Sequence, residues 1–268
     1  MRAGTTRIRE PAVAGTFYPA DPATLRAAVQ AHLEEARSGL PPGPSPKAIV
    51  APHAGYDFSG PVAARAYSRL ASVRAQVERV VLLGPAHRFP LDAVAAPGTD
   101  AWVTPLGLVT VETAARDRLV DAGLVVVSDE AHAEEHSLEV HLPFLQVVLG
   151  DVPVVPLVVG RAPVAAVADV LDAVWGGDET RIVVSTDLSH YHDRATAVEL
   201  DRRTAAAIVA RDPEAVGPGD ACGAFPLRGL LEAARRHVLD VELLDLRTSA
   251  DTGGSAARVV GYGAFALS

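Results

Sequence analysis

The stretch Ala48-Ile49-Val50-Ala51-Pro52-His53-Ala54-Gly55-Tyr56 decides the fold class. A short apolar run, the signature of a buried strand, empties into a histidine, a glycine and an aromatic. The same order recurs at Val80-Val81-Leu82-Leu83-Gly84-Pro85-Ala86-His87 and at Ile182-Val183-Val184-Ser185-Thr186-Asp187-Leu188-Ser189-His190. Strands covered on both faces read as continuous apolar runs of about four to eight residues rather than as alternating patterns. Each of these three delivers an imidazole to its carboxyl end.

Working outward, helical and strand patterns alternate. Asp21-Pro22 supplies an N-cap and a first-turn proline for a helix carrying Leu25, Val29, Leu33 and Ala36 at helical spacing, with Gly39 to close it. The proline-rich segment 41–46 ties that helix to the first strand and is too short to separate domains. Helices are expected at 61–75, 113–122, 137–149, 163–174, 195–210 and 224–237. Strands are expected at 79–83, 124–127, 154–159, 181–185, 241–246 and 258–266, with short β segments in 93–111. This predicts one α/β domain over 1–268, with a mostly parallel or mixed central sheet covered by helices on both faces.

Composition excludes several classes. With 49% hydrophobic and 21% charged residues the chain can build an ordered core. A net charge of −9, with no basic stripe, argues against nucleic acid or an anionic membrane surface as a direct partner. No apolar run approaches the ~20 residues of a membrane span. The single cysteine, Cys222, forbids an internal disulfide and fits a reducing cytoplasm. The amino terminus lacks the apolar stretch of a secretory signal. A soluble cytoplasmic protein is expected.

In open α/β sheets, ligands bind outside the carboxyl ends of the strands. His53, His87 and the pair Asp187 and His190 all fall there. Each histidine alone could do no more than cap a turn. Three in one topological position point to a site, and imidazole with carboxylate suits zinc or non-haem iron. Cys222, in Gly217-Pro218-Gly219-Asp220-Ala221-Cys222-Gly223, precedes a helix, where a thiol has a depressed pKa and binds metal readily. A small buried hydrophobe is the alternative reading.

The run Glu134-Glu135-His136-Ser137-Leu138-Glu139-Val140-His141 is the densest ionisable cluster. Its histidines are five apart, which does not place both on one helical face, so it is not a zinc-protease helix. His136, Glu139 and His141 are candidates to line the pocket or move protons, against a solvated helix start with Ser137 as its cap. His192 belongs to the His190 loop. There is no P-loop and no nucleophile elbow, and the glycine-rich 251–255 segment reads as a turn.

Seven stretches taken together resemble the Memo family, including the prokaryotic members called AmmeMemoRadiSam system protein B. They are PAVAGTFYP, APHAGYDFSG, LLGPAHR, DEAHAEEHSLEVHLPFLQ, VVSTDLSHY, DACGAFPL and VVGYGAFAL, in that order from 9 to 267. The resemblance implies a fold similar to the class III extradiol ring-cleaving dioxygenases. It also implies metal ligation by His53, His87 and Cys222, further pocket residues in Asp187 and His190, and His190 as acid–base catalyst. His136, Glu139 and His141 would face the same pocket, with Gly55 letting Tyr56 wrap it. A cysteine replaces the dioxygenase carboxylate ligand, so Fe(II), zinc or copper are all within reach of the donor set. Arg88 follows His87 where some members have a histidine, which adds a positive charge beside the pocket. The functional expectation is a non-haem metal protein, most simply iron-dependent and redox-related, acting on a small-molecule or peptide ligand. The rivals are an accessory module working with an AMMECR1-type domain and a radical SAM protein, and a metal-dependent hydrolase.

Overall fold

The structure, a computed structural model, describes residues 6–39 and 43–268. Of the expected linker 41–46, residues 41 and 42 lie outside the described residues. The strands are β1 (Ile8–Arg9), β2 (Ala48–Ala51), β3 (Arg79–Pro85), β4 (Val94–Ala96), β5 (Ala101–Thr104), β6 (Gly107–Thr110), β7 (Val126–Val127), β8 (Val154–Val159), β9 (Thr180–Ser185), β10 (His190–His192), β11 (Val241–Thr248) and β12 (Val259–Leu267). The helices are α1 (Pro22–Ser38), α2 (Tyr56–Leu70), α3 (Thr113–Asp121), α4 (Asp129–Ala133), α5 (Leu142–Val148), α6 (Val164–Ala173), α7 (Arg194–Val209) and α8 (Ala224–Arg236).

The large sheet runs β11-β12-β2-β9-β3-β8-β4-β7, and β10 pairs with the start of β12. Its centre, β2-β9-β3-β8, is parallel, while β12 on β2 and β4 on β8 are antiparallel. The sheet is therefore mixed. β1, β5 and β6 form a separate three-stranded sheet.

The apolar runs are strands because both faces are buried. Ile49, Leu82, Val154 and Val183 pack into one core with α1, α2 and α5. Their chain neighbours Val50, Leu83, Val155 and Val184 pack into the other with α3, α6, α7 and α8. The period-2 alternation of a strand splits each run between two helical layers. Truncating a leucine in either core to alanine costs ~2–5 kcal/mol.

Several expectations need correction. α2 begins at Tyr56, five residues before the expected start, with Pro61 inside it. Gly55 is its N-cap at φ −57° and ψ 145°, a backbone any residue adopts, so no flexible turn follows His53. Ser137 does not cap a helix. A 3₁₀ turn spans Glu139–His141, and the α-helix starts only at Leu142. Ser137 is instead fully buried, and its Oγ donates to the Pro85 carbonyl at 2.8 Å. The β1 and β10 strands were not expected. Segment 251–255 is a turn, with Gly253 at φ +110° after a 3₁₀ helix over Ser249–Thr252. No helix among the described residues is long and apolar enough to cross a membrane.

Candidate metal centre

β9 lies between β2 and β3, and the three strands end nearly level. Ala51 pairs with Ser185, and Leu83 with Val184. His53, Asp187 and His87 each follow two residues after those ends, so the parallel register alone brings them together. Cys222 arrives from the other side, in the turn before α8. Its N–H donates to the Asp187 carbonyl at 3.2 Å. Gly223 permits the approach: a Cβ there would sit 2.6 Å from the Ser185 carbonyl oxygen.

His53 Nε2, an His87 ring nitrogen and Cys222 Sγ lie within 4.8 Å of one another. Cys222 Sγ is 3.3 Å from His53 Nε2. The opposite nitrogens are occupied. Ser185 Oγ donates to the Ser137 carbonyl at 2.6 Å, so it can only accept from His53 Nδ1, also 2.6 Å away. That fixes the proton on Nδ1 and leaves the Nε2 lone pair toward Cys222. His87 Nδ1 likewise donates to Glu135 Oε1 at 3.0 Å, freeing its Nε2. His136 completes a cluster of three rings, 4.8 Å from His87 and 5.5 Å from His53 between centroids. His87, Glu135 and His136 form a second group with ligand spacing.

Burial is the largest influence on His53 and His136. It drives His53 well below the usual imidazole range, and the neighbouring His87, His136, His141 and His190 push the same way. His136 is held at about 4, by burial first, with Glu135 opposing. Burial would raise Glu135, but its hydrogen bond and charge contact with His87 and the N–H groups of Ser137 and His87 hold it at about 2. The Cys222 thiol departs from the sequence expectation. Burial and then Asp187 push it up, because the cost of enclosing a thiolate outweighs the helix terminus. The free protein therefore carries a thiol there, and its proton must leave when a cation binds.

Asp187, His190 and Cys222 form a third group within 4.8 Å. Asp187 Oδ1 accepts the His53 N–H at 2.8 Å. Burial pushes its carboxyl up to about 6, against the lowering effects of that hydrogen bond and of His190. His190 Nδ1 donates to the Leu188 carbonyl at 2.8 Å, which leaves its Nε2 free.

The remaining expected residues sit around this centre rather than in it. The Tyr56 hydroxyl donates to the Val140 carbonyl at 2.6 Å, in the core beneath the 136–141 segment. Glu139 is fully buried and faces Arg9, Tyr18 and the N–H groups of Ala12 and Val13. His141 is buried with Nδ1 against the Tyr67 hydroxyl. His192 is exposed and lies outside all three ligand groups. Sequence reasoning passed over Glu135 and Ser185 as site residues. Glu135 carried a signal, since a carboxylate adjoining a histidine is the usual partner that orients a ligating ring. Ser185 carried none.

A cleft of about 560 Å³ opens on His87 and Cys222. Phe89, Leu91 and Phe225 give it apolar walls, and Arg88 and Arg161 give it positive charge.

Comparison with known proteins gives the family and the fold. The family described as Memo-like protein matches residues 9–266. A MEMO1 family protein of Methanopyrus kandleri is 39% identical, over 96% of this chain and 97% of its own length. Another, from Methanothermobacter thermautotrophicus, is 34% identical over 95% and 98%. Among solved structures, an uncharacterized protein from Escherichia coli K12 superposes with a TM-score of 0.53 at 16% identity, over 80% of this chain and 98% of that one. At that identity the likeness concerns the α/β fold alone. On the family match and on relatives aligned across almost its whole length, the chain belongs to the Memo family.

Proposed function

We propose that this chain holds one divalent metal ion on His53, His87 and Cys222 and uses it for redox chemistry on a small organic ligand, in a pocket like that of the class III extradiol dioxygenases. The observation that carries the reading is the pair of fixed tautomers. Ser185 and Glu135 occupy the Nδ1 atoms, so each ring keeps its Nε2 lone pair, and His53, His87 and Cys222 offer ligand atoms that lie within 4.8 Å of one another. Two neutral imidazoles and one thiolate suit Fe(II), with zinc or Cu(I) as the alternatives a soft sulfur ligand admits. Bound there, iron would supply Lewis acidity and one-electron chemistry.

The chain's own residues supply orientation and proton handling. Glu135 and Ser185 fix the two rings. Asp187 anchors the His53 backbone, and its carboxyl at about 6 can exchange a proton near neutral pH. The free Nε2 of His190, beside Asp187 and Cys222, is placed to accept or return a proton.

Elemental analysis of protein purified without oxygen tests the ligand set. About one metal ion per chain is expected, with loss of that ion in His53→Ala and in Cys222→Ser while the circular dichroism of the fold persists. Full metal occupancy in both variants would show that other residues bind the ion.

A further inference from the structure

We propose that a second cleft, between α7 and β11, binds the ammonium group of a small aliphatic amine on Asp201. No residue lines both this cleft and the one that opens on His87 and Cys222, so the two sites stand or fall separately.

The cleft encloses about 600 Å³. Its lining includes Arg194, Asp201 and Arg202 of α7, Asp245 and Arg247 of β11, and Asp251 of the 3₁₀ helix that follows. These charges are matched except at one place. Arg194 binds Asp251 at 2.6 Å, and Arg247 binds Asp245 at 2.9 Å. Arg202 faces Glu199 at 3.9 Å, in solvent. Among the described residues no cation forms an ion pair with Asp201. Yet Asp201 is the most deeply set of these carboxylates, only 1% exposed. Its Oδ1 accepts the Ser189 N–H at 2.9 Å, while Oδ2 is buried with no hydrogen-bond partner. Burial pushes this carboxyl up, against its contacts with Ser189 and the charges of His190 and His192. An enclosed carboxylate oxygen with neither donor nor counter-ion is unfavourable and calls for a missing partner.

The seat is built into the fold. Gly261 of β12 lies against the carboxylate, and a Cβ there would stand 1.9 Å from Oδ2. The same glycine joins β12 to the segment that carries Asp187 and His190. The Leu188 N–H donates to its carbonyl, and its own N–H donates to the Ser189 carbonyl, each at 2.8 Å. A bare backbone at 261 thus makes room for a charge that the fold itself leaves unpaired. An ammonium group supplies both the opposite charge and the N–H donors, and such charge-assisted hydrogen bonds are the strong ones. A metal ion fits less well, because no group with metal-ligand spacing among the described residues includes Asp201. Val198 and Leu246 on the walls suit an aliphatic stem. Arg202 is exposed and tied to no buried group, and exposed side chains change rotamer freely, so the stem can reach that depth.

The test titrates 1,4-diaminobutane, 4-aminobutan-1-ol and neutral 1,4-butanediol into the full chain, followed by isothermal calorimetry at low salt. At least one amine is expected to bind about tenfold or more tightly than the diol, the increment of a charged hydrogen bond, and added salt should weaken it. Asp201→Asn keeps the size of the side chain and its acceptor for Ser189 but removes the charge, and should lower amine affinity by a similar factor. Val198→Trp leaves Asp201 in place and fills the cleft, so it should do the same even where the asparagine variant folds poorly. Equal binding of the diol, no binding of either amine, or undiminished affinity in either folded variant overturns the assignment. Metal content should be the same in the parent and in both variants, so elemental analysis and this titration can fail separately.

Discussion

Two clusters of ionisable side chains lie close together in this molecule, and they differ in what their atoms are left to do. Around Glu139 everything is used. Its carboxylate accepts from Arg9 Nη1 at 2.7 Å, from the Ala12 and Val13 N–H groups at 2.8 and 3.0 Å, and from the Tyr18 hydroxyl. Arg9 in turn donates to the carbonyls of His132 and Glu135. This cluster fastens the amino-terminal segment to the 132–139 turn. At the strand ends the pattern is reversed. His53, His87 and His190 each have one nitrogen fixed by the protein and the other free, and each falls in a ligand group with Cys222. Glu139 and Arg9 are enclosed whereas His87 is exposed, and it is the unused lone pairs that mark the second cluster as a candidate ligand site.

The largest effect should come from the cluster with nothing spare. Glu139→Ala leaves the Arg9 guanidinium enclosed without its carboxylate, and removing one partner of a buried pair costs ~3–5 kcal/mol. Urea denaturation should show that loss. A change below about 1 kcal/mol, the scale of an exposed pair, would mean that water reaches Arg9 and that the contrast between the clusters is overdrawn. The next effect is on the ligand cluster. Glu135→Gln retains size but weakens the grip on His87 Nδ1. Loss of such an orienting partner lowers metal affinity about 10–100-fold. Competition with a chromophoric chelator would measure it, and an unchanged affinity would remove Glu135 from any orienting role.

The parallel centre of the sheet was legible because its strands are continuous apolar runs, and the strand-end rule then placed His53, His87, Asp187 and His190 together. What lay beyond reading was set by distant partners. Ser137 has the chemistry of a helix cap, yet its hydroxyl serves the end of β3 and its carbonyl serves Ser185, 48 residues away. Glu139 looked like a pocket residue because it stands between two histidines. Its four donors come from residues 9–18, and no local pattern announces them. The start of α2 was missed because Pro61 resembles a first-turn proline, whereas the helix tolerates it internally at the loss of one hydrogen bond. The state of Cys222 was misjudged because a helix terminus is visible in sequence and the burial that outweighs it is not.

His141 sharpens the comparison most finely, because it has a spare atom and no opening. Its Nε2 is buried without a partner, and it lines neither the cleft nor any ligand group. Enclosure alone holds it at about 3, so this orphan nitrogen is a cost to stability rather than a ligand. The sign follows from linkage. The folded value lies below that of the unfolded chain, about 6.5, so the unfolded chain takes up the proton first. Stability is then complete above about pH 6.5 and falls as the pH drops toward 3. His132 and His136, each held at about 4, add losses of the same sign. Between about pH 7 and pH 5.5 the share of one such histidine is roughly 1 kcal/mol. His141→Phe should remove that share, giving a flatter decline in urea midpoint over this interval than the parent shows. The variant also forfeits the Tyr67 hydrogen bond, but that loss does not vary with pH and lowers both midpoints alike. Parallel declines in parent and variant would mean that His141 is protonated in the folded chain, and that its free nitrogen reaches water or a ligand after all.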